Sequence, residues 1–187
     1  MLYDLIFSPY RGFSRVQREA PWKLMYAVAA LAFINRFLSI FDSAAGYGFA
    51  VAPGLLGTGA AACALWFLFF WMLAAGLIHL FAGFWKEEGT AVSLFLLLGF
   101  SSMPYMFLFP VGLFFKSGIL TGAPLEYALA GLLNFWVFIL VVMAVKLNYE
   151  CSTEKAMLII LTPVFFVFIA VLIIAAMALS GVLISIG

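Results

Sequence analysis

Apolar residues form five long runs along the chain, separated by short polar or glycine-rich stretches. The runs predict helices over residues 24–41, 60–84, 90–115, 123–146 and 156–184. Each run is long enough to cross about 30 Å of hydrocarbon at about 1.5 Å per residue. The alternation of apolar and polar residues that marks a barrel strand does not occur in them. The pattern predicts an all-α polytopic integral membrane bundle with about five transmembrane helices, spanning residues 24–187.

The segment between the first two runs, residues 42–59, has a different composition. It is rich in glycine and alanine and contains Pro53. We interpret it as a connection, which either lies outside the membrane as a loop or dips partly into the bilayer. The sequence leaves both alternatives open.

A shorter helical pattern precedes the first run, within residues 1–23. Ser8 is typical of a helix N-cap, and Pro9 is typical of the first helical position. Three apolar residues recur every three positions and three arginines follow another flank: Tyr10, Phe13 and Val16, and Arg11, Arg15 and Arg18. This pattern predicts a short cytoplasmic amphipathic helix that lies on the membrane and contacts anionic lipid headgroups. An equally open alternative is that the arginines only orient the first transmembrane helix.

The distribution of Lys and Arg predicts the orientation of the bundle. An N-terminus in the cytoplasm places seven of these residues on the cytoplasmic side, namely Arg11, Arg15, Arg18, Lys23, Lys86, Lys146 and Lys155. Only Arg36 and Lys116 then belong to the outer half. Because positive residues are retained on the cytoplasmic side, we expect a cytoplasmic N-terminus and, with five helices, an outside C-terminus. The expected location is the bacterial cytoplasmic (inner) membrane.

Composition and charge exclude several classes of protein. With 67% hydrophobic and 9% charged residues the chain is far from a soluble domain, and a net charge of +1 offers nucleic acid no basic surface. Two cysteines and one histidine cannot build a structural zinc site. We find no carboxylate pair at the membrane midplane and no nucleophile with a base, so we expect no catalytic residues, no cofactor and no enzyme.

Polar side chains within the predicted helices are the candidate functional residues, because hydrocarbon makes each one costly. They are Arg36, His79, Ser101, Ser102, Glu126, Asn134 and Thr162. Arg36 is expected to extend towards the headgroups, to pair with Glu126, or to serve transport. His79 is expected to be a hydrogen-bonded structural residue, with a proton relay as the alternative.

Two prolines in the third run, Pro104 and Pro110, predict that its helix bends or breaks. Ser101 and Ser102 precede the first proline and can bond the carbonyls that it leaves free. Together with Asn134 they either hold helices together or line a polar cavity. We favour the first alternative, which predicts that Ser102 and Asn134 are buried and hydrogen-bonded.

A family resemblance rests on the stretch His79-Leu-Phe-Ala-Gly-Phe-Trp-Lys-Glu-Glu-Gly-Thr90 and on Leu98-Gly-Phe-Ser-Ser-Met-Pro104. These resemble the centre of the Yip (Ypt-interacting protein) family of five-span membrane proteins. In its prokaryotic branch a Gly-Thr-like element follows a cytoplasmic turn and leads into a span with small residues and then proline. The resemblance implies a membrane location and this fold, but no reaction. Eukaryotic members act in vesicle traffic and bind Rab GTPases with a longer cytosolic N-terminal region.

We therefore expect a non-enzymatic membrane protein that organises the bilayer or docks other proteins. The alternative is a small transporter or channel that uses the proline-broken third helix. The expected partners are the lipid bilayer, anionic headgroups at the N-terminal helix, and a second copy or another membrane protein.

Overall fold

A computed structural model describes the backbone of residues 2–46, 53–85 and 88–186. It describes the side chains of residues 3–39, 59, 61–62, 64–85 and 88–177. Helix makes up 88% of the structure, and no strand occurs within the described residues. The prediction of an all-α fold is therefore confirmed.

Eight α-helices and one 3₁₀ segment follow one another along the described chain. In chain order they are α1 Leu2–Phe7, α2 Pro9–Glu19, α3 Trp22–Gly46, α4 Pro53–Phe84, α5 Ala91–Ser101, the 3₁₀ segment Met103–Phe107, α6 Leu108–Lys116, α7 Ala123–Asn148 and α8 Thr153–Ile186.

Four stretches within the described residues are long and apolar enough to cross a membrane. They are Ala64–Phe84, Ala91–Lys116, Ala123–Asn148 and Thr153–Met177, which correspond to the second to fifth predicted helices. The first predicted helix, over residues 24–41, lies within α3 but is not among the four, because the side chains of α3 are described only as far as residue 39. The chain is thus an integral membrane protein with several membrane-spanning helices, and the fifth crossing stays a prediction.

The predicted connection over residues 42–59 is wrong at both of its ends. Helix α3 continues to Gly46, and α4 already begins at Pro53. The alanines at 44 and 45 are strong helix formers, and a proline fits the first helical position because its missing N–H needs no partner there. The choice between a loop and a re-entrant segment concerns residues 47–52, which lie outside the described residues.

The centre of the bundle is α5, which packs against α2, α3, α4 and α7. Leu94, Leu97 and Phe100 are completely buried along it. A Cβ atom at Gly99 would stand 2.6 Å from Sδ of Met25 and 2.6 Å from Cζ2 of Trp71. Glycine at this position therefore lets α3 and α4 approach α5 closely.

Candidate functional site

The N-terminal segment folds into a helical hairpin, α1–α2, which we call the N-terminal hairpin. The two helices cross at Gly12, where a Cβ atom would stand 2.7 Å from the backbone nitrogen of Leu5. Phe13 and Val16 of α2 and Leu5 of α1 are almost completely buried, and α2 packs against α5 and α7. These three side chains fix the docked position of the hairpin by core packing, while its aromatic residues Tyr3, Phe7 and Tyr10 remain exposed.

The three arginines of α2 are exposed on the side that faces away from this packing. Arg11 donates to Oγ of Ser8 at 2.8 Å, and Nε of Arg15 forms an ion pair with Oε1 of Glu19 at 2.7 Å. Ser8 holds the predicted N-cap position of α2, but its side chain makes no capping hydrogen bond to the helix backbone. Glu19 offsets the charge of Arg15, and the hairpin also contains Asp4, so Arg11 and Arg18 are the arginines that leave its surface with an excess of positive charge.

Two turns of the bundle lie at the same end as the hairpin. A Cβ atom at Gly89 would stand 2.5 Å from Cδ1 of Tyr149 and 2.6 Å from the carbonyl oxygen of Asn148, so the turn before α5 lies against the turn after α7. Thr90 then caps α5, because its side chain accepts from the backbone N–H of Ser93 at 3.2 Å. The Gly-Thr element thus has a structural reason, which is close approach followed by helix capping.

His79 links α4 to this end of the bundle. Its Nδ1 lies 2.8 Å from the hydroxyl of Tyr149, and the two rings are stacked at 6.1 Å between centroids. The tautomer of the imidazole decides which group donates. Tyr149 is only 2% exposed, so this hydrogen bond satisfies a hydroxyl that the fold has removed from solvent.

The third membrane helix breaks at the first proline and not at the second. Pro104 lies in the 3₁₀ segment between α5 and α6, as its position in the sequence predicts. Pro110 lies in the first turn of α6, where backbone N–H groups have no helical acceptor, so it interrupts nothing. Ser101 and Ser102 donate to the carbonyls of Leu97 at 3.0 Å and Gly99 at 2.7 Å, within their own helix.

Arg36 lies over an aromatic ring. Its guanidinium carbon is 5.3 Å from the ring centroid of Tyr105, which belongs to the 3₁₀ segment. One of the three alternatives for Arg36, a pair with Glu126, is not observed between these two described residues, and Glu126 is exposed in the first turn of α7, where it complements the helix dipole. Tyr105 of the 3₁₀ segment is thus the residue that contacts the guanidinium group of Arg36.

Asn134 lies on the other side of Tyr105. The Tyr105 hydroxyl makes a long contact of 3.4 Å to Oδ1 of Asn134, whose amide donates to the carbonyl of Ala130 at 2.7 Å. Asn134 is hydrogen-bonded, but the expectation that it is buried is wrong, because its side chain is exposed at the surface of the bundle. Ser102 is half-buried. Arg36, Tyr105 and Asn134 form a row across α3, the 3₁₀ segment and α7.

The remaining candidate, Thr162, makes a local contact. Its hydroxyl donates to the carbonyl of Leu158 at 2.6 Å, and α8 continues through Pro163. A cavity of about 270 Å³ next to Ser101 and Ser102 is lined mostly by carbon, including Phe67, Phe70 and Val137. Within the described part of the chain, no three His, Cys, Asp or Glu side chains come together as metal ligands would.

Sequence reasoning did not single out the residues around the turn after α7. Tyr149 and Asn148 are buried there, and Lys146 and Glu150 line a cleft that faces α2. Only the spacing of Lys146 and Glu150 around a helix end could have identified them as candidate site residues. That spacing is common in proteins, so it is a weak signal. Of the cysteines, Cys151 is a buried thiol in this turn, and the side chain of Cys63 lies outside the described residues.

Comparison with known proteins agrees with the fold. The Yip1 domain model matches residues 3–175, which include the hairpin and most of the bundle. No curated protein and no solved structure matches the chain. Because the match extends over most of the sequence, the chain belongs to the Yip1 domain family of membrane proteins.

Proposed function

We propose that the protein is a non-enzymatic membrane scaffold that gathers anionic lipids around a fixed basic surface on the cytoplasmic side. The observation that carries this proposal is the docking of the N-terminal hairpin. Phe13 and Val16 are buried against the bundle, while Arg11 and Arg18 remain exposed. A helix that only floated on lipid would use its apolar side to enter the bilayer. Here Phe13 and Val16 pack against the protein, so the positive charges have a defined place beside it.

The proposal includes the five-span topology. Helix α3 has 25 residues, long enough for one crossing at about 1.5 Å per residue. Its apolar residues Met25, Val28 and Ala32 are buried in the bundle, as expected of a membrane helix packed against others. The hairpin, the Gly89 turn and the Tyr149 turn lie together at one end. The excess of Lys and Arg supports a cytoplasmic location of this end in the proposal.

The transporter alternative gains no support from the third helix. The hydroxyls of Ser101 and Ser102 donate hydrogen bonds to backbone carbonyls of α5, and the neighbouring cavity is lined mostly by carbon. A polar pathway needs side chains that offer donors or acceptors to a solute. The geometry therefore supports a scaffold better than a transporter. The proposal includes docking of a second copy, or of another membrane protein, at the end of the bundle where the N-terminal hairpin lies.

Lipid selectivity of the reconstituted full chain tests the proposal. Spin-labelled phosphatidylglycerol and phosphatidylcholine are compared for the fraction whose motion the protein restricts. We expect a preference for phosphatidylglycerol that weakens with salt and falls about fivefold for each of Arg11→Gln and Arg18→Gln. The matched control, Arg15→Gln with Glu19→Gln, removes two opposite charges and should preserve the preference. A wild-type protein without preference, or a preference unchanged in the arginine variants, would contradict the proposal.

A further inference from the structure

An apolar groove runs along the outside of α7 and α8, which we call the α7–α8 groove. Its volume is about 230 Å³, and its apolar lining consists of Phe135, Phe138, Ile139, Val142, Met143 and Met157. The groove ends at Tyr10, Lys146 and Thr153. Lys146 lies in the last turn of α7, so the polar end is at the level where a membrane changes from hydrocarbon to headgroups.

A polar cleft of about 410 Å³ continues from this end of the groove. The two spaces share Tyr10 and Lys146, and Ser14, Gln17 and Glu150 add further polar side chains to the cleft. Lys146 Nζ donates to the hydroxyl of Thr153 at 3.0 Å, which fixes the ammonium group at the junction. An apolar slot therefore opens into a polar chamber that contains one positive and one negative side chain.

Glu150 occupies a backbone conformation that usually belongs to glycine. Its φ is +49°, and the N–H of Cys151 bonds the carbonyl of Lys146 at 3.2 Å, as in a Schellman motif closing a helix. Glycine is preferred at this position because other residues are strained there. The chain carries a carboxylate here instead, and that carboxylate lines the cleft.

We propose that the α7–α8 groove and the polar cleft together bind one glycerophospholipid with a phosphoethanolamine headgroup. One acyl chain lies in the groove, the phosphate contacts Lys146, and the ammonium group contacts Glu150. Charge complementarity selects this occupant, because a zwitterionic headgroup satisfies both side chains. Phosphatidylglycerol leaves Glu150 without a positive partner, and the methylated ammonium of phosphatidylcholine cannot donate a hydrogen bond to it. This site is separate from the surface formed by Arg11 and Arg18.

Native mass spectrometry of the full chain, purified in detergent, tests the proposal. The protein is incubated with equal amounts of phosphatidylethanolamine, phosphatidylcholine and phosphatidylglycerol. We expect one phosphatidylethanolamine to stay bound after the other lipids dissociate. Lys146→Gln and Glu150→Gln should each weaken its retention about fivefold. The charge-matched controls Lys23→Gln and Glu154→Gln change exposed residues outside the cleft and should leave retention unchanged.

Two further variants separate binding from folding. Glu150→Gly relieves the strained backbone, so it should melt at the same or a higher temperature while the preference for phosphatidylethanolamine is lost. Ile139→Trp fills the groove and should remove the retained lipid of any headgroup. Equal retention of all three lipids, an undiminished preference in Glu150→Gly, or a lipid-free dimer whose interface covers the groove would overturn the proposal.

Discussion

Gly89 lies directly against the ring of Tyr149, and a Cβ atom at Gly89 would stand 2.5 Å from Cδ1 of that ring. The same Cβ atom would meet the carbonyl oxygen of Asn148, which belongs to the backbone and cannot rotate away. The Tyr149 hydroxyl in turn reaches Nδ1 of His79. Gly89, Tyr149 and His79 thus join α5, α7 and α4 at the end of the bundle where the N-terminal hairpin is docked.

Gly89→Ala should destabilise the protein by about 1–3 kcal/mol, because the added methyl group overpacks a contact with backbone and ring atoms. Gly83→Ala provides the matched control. No atom lies within 4 Å of a Cβ at Gly83, so that variant should be as stable as the wild type or about 0.5–1 kcal/mol more stable. Thermal unfolding in detergent measures both. Equal stabilities of the two variants would disprove the close contact.

We predict that the protein loses stability at alkaline pH because Tyr149 is buried. Burial raises the pKa of Tyr149 to about 12, from an ordinary value of 10.0. The folded state therefore favours the neutral phenol. Its contribution to stability is complete below pH 10 and disappears as the pH rises towards about 12. The measurement is the difference in stability between the wild type and Tyr149→Phe, because this substitution removes only the hydroxyl group. A difference that stays constant across this window would contradict the prediction.

The contact between Arg36 and Tyr105 predicts an energetic coupling of about 0.5–2 kcal/mol, the range for a cation over an aromatic ring. A double-mutant cycle of Arg36→Gln with Tyr105→Leu should recover it from unfolding in detergent. The cycle with Tyr105→Phe is the control, because it keeps the ring and removes only the hydroxyl that reaches Asn134. A coupling of the same size in both cycles would assign the interaction to the hydroxyl and not to the ring.

These contacts show which parts of the structure follow from sequence pattern. The apolar runs predicted the helices from α4 to α8, and Pro104 predicted the break, because a missing N–H acts locally. Pro110 has the same chemistry, but the 3₁₀ segment before it shifts the helix start so that the proline falls in a first turn. The effect of a proline therefore depends on where the preceding helix ends. That position cannot be read from the pattern of residue types alone.

Contacts between distant residues were less predictable. The side chain considered as a partner of Arg36 was the carboxylate of Glu126. In the structure the guanidinium lies over the ring of Tyr105, which is 69 residues further along the chain. Glycine in a membrane helix often permits close packing, but a Cβ atom at Gly76, Gly83 or Gly131 would meet no neighbouring atom within 4 Å. The close approach occurs at Gly99 and Gly89 instead. Composition shows that small residues are available, but the direction in which each one faces is set by the packing of the whole bundle.

The central claim is that the N-terminal hairpin presents its arginines while docked on the bundle. Ser14 and Cys151 line the same cleft between α2 and the turn after α7, so Ser14→Cys places two thiols on opposite sides of the docked interface. A short bifunctional thiol reagent, used in a Cys63→Ser background, then locks the hairpin in place. The same protein with Cys151→Ser cannot be linked and serves as the control.

The decisive measurement is the lipid selectivity of the locked full chain in vesicles. Our account predicts that the link forms readily and that the preference for phosphatidylglycerol over phosphatidylcholine is unchanged, because Arg11 and Arg18 already face away from the bundle. Loss of the preference once the link has formed would show that the hairpin must leave the bundle to meet lipid and would contradict the account.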